Sequence, residues 1–383
     1  MTATVGVHAL VRRAHEERVL AILRERGSLS RAQIAARAGL SRTTLSEITG
    51  DLIARGAIKV VTTDAELRAG SGRPAELLSL DPHSGQFLGV DLGHNRVRVA
   101  VADAAHEIIA QGLSSYAAET PWADRLAAAF ALIDRLARES GVTFDALQGI
   151  GVGVAGPQPA DSSRDEVRTA FGRRFAAPVV VDNNTRFAAL AEAIADGSDA
   201  RDVLYVRLSD GIGGGLVVGG RLVAGGHGVA GEFGHIPVDR AGEVCRCGKR
   251  GCLETVASVP AVLRACALAT AEDLAAASVT GDRTVARAIT RAATAVGGVL
   301  AQAALILNPE QIVIGGRLVL LAPALVEQAA AIVLAEVVGR PPVIRAALLG
   351  DDDGARGAIA VLFRRSPLLA GYPGGPAAAA GAR

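Results

Sequence analysis

Aromatic residues are scarce in this 383-residue chain: 8 Phe, 3 Tyr and a single Trp, with only one Met beside them. A hydrophobic core therefore has to be assembled from Ala, Val, Leu and Ile, within a composition that is 50% hydrophobic. No apolar run approaches the roughly 18 residues of a membrane span. The N-terminus carries Arg12-Arg13 and then Glu16-Glu17 where a signal peptide would place an apolar stretch. The expectation is a cytoplasmic protein with no membrane partner. Cysteine is sparse too, at 4 residues, which argues against a disulfide framework in a reducing compartment. Cys266 stands alone in an Ala/Leu-rich helical pattern and reads as a small buried hydrophobe.

The other three cysteines are clustered. Cys245, Cys247 and Cys252 form C-x-C-x4-C, and His235 precedes the first by ten residues. Three thiolates and one imidazole make the closed tetrahedral shell of a structural zinc ion, with every position filled by protein. Glu232 and Glu254 flank this set, so the metal clip would also pin two carboxylates side by side.

The net charge of +1 says little, but its distribution is uneven. Residues 1–80 hold 12 Lys/Arg against 8 Asp/Glu, a basic head on a mildly acidic body, which points to nucleic acid at one end. Val11 to Arg26 has helical apolar spacing at Val11, Val19, Leu20, Ile22 and Leu23, and Gly27 stops it. Ser30-Arg-Ala-Gln33 is a capping box opening a second helix that ends at Gly39. Ser41 caps a third, with Leu45, Ile48, Leu52 and Ile53 on one face. This is a helix-turn-helix. Arg42, Thr43, Thr44 and Ser46 point away from the core near the N-terminal end of the third helix, the end that enters a major groove. Ile58–Thr62 and Leu77–Leu80 then read as a wing hairpin, and Arg73 in its loop is placed to reach phosphate or the minor groove. The expected partner is double-stranded operator DNA.

Downstream, Phe87–Gly93, Val97–Asp103, Gly149–Gly156, Pro178–Asn184, Val203–Leu208 and Gln311–Ile314 read as strands, several running into Gly-rich turns. Such an α/β domain binds ligands at its strand ends. Gly156-Pro157 and Pro178 are joined by a short connection rich in Asp, Arg and Ser. Ser258–Ala304 and Leu321–Val338 have helical periodicity, Gly350-Asp-Asp-Asp reads as a solvated acidic turn, and residues 366–383 read as a flexible tail.

Asp91-Leu-Gly93, Val154-Ala-Gly-Pro157, Val181-Asp-Asn-Asn184, Gly211-Ile-Gly213, Gly231-Glu-Phe-Gly-His235, the cysteine run with Glu254, and Gly315-Gly316 together resemble the ROK family of repressors and sugar kinases. The head, followed by Gly72-Arg-Pro74, resembles its regulator branch. The resemblance implies an α/β fold: an N-terminal winged helix-turn-helix (1–82) and a two-lobed actin/hexokinase-like domain. Its lobes would be 83–185, completed by 355–365, and 186–354 with the zinc site. It also implies sugar contacts from Asn183, Glu232, His235 and Glu254, with Asn184 at the position of the kinase's Asp base. An amide holds a hydroxyl but cannot take its proton. Two further departures fall on the phosphate loops. His94-Asn95 stands where the kinases have Gly-Thr, and Asp210 puts a carboxylate where polyphosphate would sit.

The expectation is a transcriptional repressor responsive to a sugar or sugar phosphate, without kinase activity. It would bind a palindromic operator as a homodimer or a dimer of dimers. An ATP-dependent hexose kinase with a DNA-binding head, and a DNA-binding protein indifferent to ligand, are the two alternatives.

Overall fold

The structure is a computed structural model that describes residues 15–16, 18–20, 22–23, 26–54, 58–63, 75–80, 86–103, 108–117, 119–142, 144, 147–156, 162–175, 177–195, 200–350 and 353–365. Its N-terminal head comprises β1 (Leu29–Ser30), α1 (Arg31–Ala38), α2 (Arg42–Ala54), β2 (Ile58–Thr63) and β3 (Glu76–Leu80). The capping box of α1 is closed in both directions: Gln33 N donates to Ser30 Oγ at 3.3 Å, and Ser30 N donates to Gln33 Oε1 at 2.9 Å. Such a cap contributes about 1 kcal/mol. Gly39 ends the helix at φ 65°, a left-handed conformation that suits glycine. Ser41 Oγ accepts from Thr44 N at 3.1 Å and so starts α2. Val19, Leu20 and Leu23 from the preceding helical residues pack with Ile34, Leu45, Ile48, Leu52, Ile58 and Leu78. The head's sheet has the order β1-β3-β2, and the wing loop with Arg73 lies outside the described residues.

The body contains β4 (Gln86–Leu92), β5 (Arg96–Ala102), β6 (Ile108–Ser115), α3 (Trp122–Ser140), β7 (Leu147–Val154), α4 (Ser162–Phe175), β8 (Val179–Asn183) and α5 (Asn184–Ala195). There follow β9 (Val203–Leu208), β10 (Ile212–Val218), β11 (Arg221–Leu222), α6 (Glu254–Ala257), α7 (Val259–Cys266), α8 (Ala271–Val279) and α9 (Arg283–Leu307). The chain closes with β12 (Gln311–Gly315), α10 (Arg317–Leu321), α11 (Ala324–Glu336), β13 (Val343–Ala346) and α12 (Asp353–Arg365). Two five-stranded sheets result, ordered β6-β5-β4-β7-β8 and β11-β10-β9-β12-β13. Each joins an antiparallel trio to two parallel strands, so the same half-domain pattern occurs twice. The cores are aliphatic, as the scarcity of aromatics requires. Val90, Val99 and Val152 pack with Leu132 and Ile133, and Val206 and Ile312 pack with Val296 and Leu300.

Helix α12 packs back onto β4, β7 and α5, which ties the chain's end to the first sheet. The approach depends on missing side chains. A Cβ on Gly151 would overlap the Ala358 carbonyl, and one on Gly89 would overlap that of Ala355.

Four expectations change here. The connection after Gly156 contains a 14-residue helix, α4, which buries Val167 and Phe171. Asp353 does not sit in a solvated turn: it is fully buried at the start of α12. Cys266 is half-buried rather than buried. Among the described residues one helix, α9, is long and apolar enough by composition to cross a membrane, although its apolar face (Ile289, Val296, Leu300) lies in the second core.

Replacing Gly151 by Ala forces α12 off the first sheet. We expect a loss of about 1–3 kcal/mol, read as a lower denaturation midpoint in urea.

Candidate functional site

The ends of β4, β7, β8 and β9 border one cleft, whose empty space of about 720 Å³ includes open solvent. Asp91, Gly93, His94 and Asn95 line it from the end of β4, Ala155 and Gly156 from the end of β7, and Asn183–Thr185 from the β8/α5 junction. Ser209–Gly213 line it from the β9/β10 turn, with Arg207, Glu232 and Arg246.

Asn183 and Asn184 are fixed by hydrogen bonds rather than left open. Asn183 Oδ1 accepts from Thr185 N at 2.8 Å, which caps the start of α5, while its Nδ2 donates to Gly156 O at 3.4 Å. Asn184 Nδ2 donates to Asp91 Oδ1 at 2.8 Å, both side chains being buried. Asp182, the nearest carboxylate along the chain, is engaged by Arg186. Arg186 is itself buried, also donates to the Gly228 carbonyl, and is pushed down to about 10 by burial and by the neighbouring Arg164 charge.

Asp91 belongs to a larger buried network. Arg207 on β9 reaches Asp91 at 3.8 Å and pairs closely with Asp353, and Tyr205 Oη donates to the same Asp353 carboxylate. Burial, and then the Asp353 charge, hold the Tyr205 phenol well above its ordinary range, so it remains a donor. Sequence reading missed Arg207 and Asp353. Their only signal was polar character, at the end of an apolar strand and before a helix.

The two loops that depart from the kinase pattern meet each other. Asn95 Nδ2 donates to Asp210 Oδ2 at 3.3 Å. The turn bearing Asn95 is held by Gly93 N donating to Arg96 O at 2.9 Å, and Tyr116 Oη lies 2.8 Å from Gly93 O.

Glu232 stands half-buried beside His235, with Oε2 4.0 Å from His235 Nε2, and burial raises its pKa. Glu254 is paired with Arg246: Nε lies 2.8 Å from Oε1, and Nη2 donates to Oε2 at 3.0 Å. Glu254 Oε2 also accepts from Ile212 N at 2.9 Å.

The ligand atoms of His235, Cys245, Cys247 and Cys252 all lie within 4.8 Å of one another. His235 Nδ1 is 3.6 Å from Cys245 Sγ, and Cys247 Sγ is 3.6 Å from Cys252 Sγ. Ligands about 2.1–2.3 Å from one tetrahedral zinc stand roughly 3.5–3.8 Å apart, so this donor set fits such an ion. The loop's tight path depends on Gly251, at φ 62°, where a Cβ would collide with the Asp239 carbonyl. With Nδ1 turned to the thiols, His235 Nε2 is left buried on the Glu232 side, without a hydrogen-bond partner among the described residues.

Of the expected DNA-facing residues, Arg42, Thr43 and Ser46 are exposed, and Thr44 is half-buried with its Oγ1 2.8 Å from Ser41 Oγ. The structure thus gathers Asn183, Asn184 and Glu232 at the cleft, with His235 and Glu254 behind it, and keeps the α2 residues on the separate N-terminal head.

Comparisons with known proteins follow this division. The ROK family profile matches residues 87–365, and a winged helix-turn-helix DNA-binding profile matches residues 12–59. The chain is 25% identical to the xylose repressor of Caldicellulosiruptor bescii over 271 residues, covering 68% of this chain and 67% of that one. It is 31% identical to the kanosamine kinase of Amycolatopsis mediterranei over 294 residues, covering 72% and 95%. A crystal structure of a ROK family transcriptional regulator, a homolog of the E. coli MLC protein, shares the fold with a TM-score of 0.74 at 23% identity. It covers 95% of this chain and 97% of its own.

Truncating Arg207 to Ala would leave Asp353 and Asp91 buried without their cation. Breaking such a pair costs about 3–5 kcal/mol, so we expect a clear fall in unfolding midpoint by circular dichroism. Arg207→Lys should recover part of it.

Proposed function

The chain belongs to the ROK family, and from that membership we propose that it is a sugar-responsive transcriptional repressor whose cleft senses rather than phosphorylates its ligand. The observation that carries the reading is Asn184. By the resemblance its amide stands where the kinases carry their catalytic base; it donates to Asp91 and has no means of accepting a proton from a sugar hydroxyl. Asp210, bonded to Asn95, sets a carboxylate where phosphates would lie. The winged helix supplies the other half of a regulator.

In this reading residues 1–82 bind DNA, with Arg42, Thr43, Thr44 and Ser46 facing base edges and Arg73 on the backbone or minor groove. Residues 83–185 with 355–365, and 186–354, form the two lobes of the sensor, and 366–383 a tail. Asn183, Asn184, Glu232, His235 and Glu254 contact the sugar or sugar phosphate. Amides and carboxylates suit vicinal hydroxyls because each makes paired hydrogen bonds. His235, Cys245, Cys247 and Cys252 hold a structural zinc ion, which would fix the His235 ring so that Nε2 serves the sugar. The protein works in the cytoplasm as a homodimer, or a dimer of dimers, because two-fold protein symmetry matches a palindromic operator. The sugar changes operator affinity by binding one arrangement of the protein more tightly than the other.

A coupled assay for ADP over a hexose panel tests the loss of catalysis. We expect turnover below about 1 s⁻¹, the low end of ordinary enzymes. Asn184→Asp alone should not restore it, since His94, Asn95 and Asp210 remain in the phosphate loops. Sugar-dependent turnover in the wild type would establish a kinase instead.

Elemental analysis should find one zinc per chain. Cys252→Ser should lose the metal and, with it, the order of residues 235–254, seen as faster amide exchange confined to that loop.

A further inference from the structure

The three residues that depart from the kinase pattern in the two phosphate loops are His94, Asn95 and Asp210, and their contacts bring in one residue of the zinc loop, Arg246. Asn95 bonds Asp210, and Arg246 Nη1 lies 3.5 Å from His94 Nε2. An arginine only donates, so the imidazole nitrogen accepts. Burial and the Arg246 charge both lower the His94 pKa, which keeps the ring neutral and able to accept. His94 and Asn95 follow β4 of the first sheet, whereas Asp210 and Arg246 belong to the second half of the body. Both contacts therefore run across the cleft.

Arg246 also carries the bidentate pairing with Glu254. Its side chain is 46% exposed while that of Glu254 is 11% exposed, so the arginine is the more open to solvent and the carboxylate lies largely buried beside it. Glu254 Oε2 already accepts two hydrogen bonds, from Ile212 N and from Arg246. A vicinal pair of hydroxyls can engage both carboxylate oxygens only by displacing the guanidinium.

We infer that Arg246 is a ligand-exchanged latch: it holds the two halves of the body together through His94, and a sugar that takes Glu254 releases it. This rests on the sugar-sensing reading above and adds how occupancy is passed across the cleft. Binding and unlatching become one exchange, so the guanidinium competes with the sugar and reports its arrival.

The test uses the full chain, as wild type, Arg246→Gln and His94→Ala, with zinc content measured on each. Amide exchange without ligand addresses the latch alone. Arg246→Gln should speed exchange in the peptide covering residues 92–97 by about five-fold, the worth of one hydrogen bond, with zinc content unchanged. Unchanged exchange would overturn the latch whatever the ligand. Calorimetry with D-glucose, D-xylose and N-acetyl-D-glucosamine addresses the exchange. The sugar that binds wild type should bind Arg246→Gln about ten-fold more tightly, because a charge-assisted competitor is gone. Its effect on operator affinity should shrink in both variants. A merely structural arginine would instead weaken sugar binding, and that outcome, or a retained operator response, contradicts the exchange. If none of the three sugars binds wild type, the sensing reading falls and the exchange with it, while the amide rates still judge the latch.

Discussion

A guanidinium held between two buried carboxylates is the constraint on which the rest of this cleft depends. Arg207 on β9 lies between Asp91, at the end of β4, and Asp353, at the start of α12. Removing such charges from water is expensive unless each is paired and hydrogen-bonded. The arrangement meets that demand with three segments far apart in sequence, and Tyr205 and Asn184 supply the remaining donors. The two sheets and the C-terminal helix are thereby tied at one point. That point adjoins the place where a kinase of this family would assemble its base and its nucleotide phosphates. The protein's own charges already satisfy one another there.

The departures from the kinase pattern follow the same logic. Asn184 bonds Asp91, Asn95 bonds Asp210, and His94 stands 3.5 Å from Arg246. Each of these residues makes a contact within or across the cleft. A transferase must bring its lobes together around two substrates and release them each turnover. A sensor needs two arrangements whose balance one ligand shifts, by a coupling of about 1–3 kcal/mol in typical allosteric proteins. A few solvent-accessible hydrogen bonds across a cleft are of that size, whereas the Arg207 network is larger and belongs to the permanent frame.

Much of this was legible in the sequence because the signals are local. The Ser30/Gln33 capping box, the alternation of apolar strands with Gly-rich turns, and the spacing of His235 with the three cysteines are each contained in a short stretch, and local geometry forces them. What sequence reading missed is what long-range partners decide. Asp353 reads as one of three aspartates in an acidic turn, and its burial is explained by Arg207, 146 residues away, together with Tyr205. Arg246 reads as a filler between two cysteines, and its partners lie on α6 and on the turn after β4. Helix α4 was overlooked because four arginines and the pair Asp165-Glu166 give it a polar character, and its apolar residues, Val167, Phe171 and Phe175, mark only one narrow stripe. The length of α9 misleads in the opposite direction, since a helix lying in an Ala/Val/Leu core carries the same hydropathy as a short membrane span.

The claim at the centre of this account is that the cleft reads a sugar and reports it to DNA without chemistry. The most direct measurement is operator affinity by fluorescence anisotropy, using an operator recovered by genomic DNA pull-down, titrated with sugars in the presence and absence of Mg-ATP. The account predicts that at least one sugar changes the affinity by about five-fold or more, equally with and without ATP, while the sugar is recovered unaltered. An affinity indifferent to every sugar, or a response that needs ATP and consumes it, would contradict it.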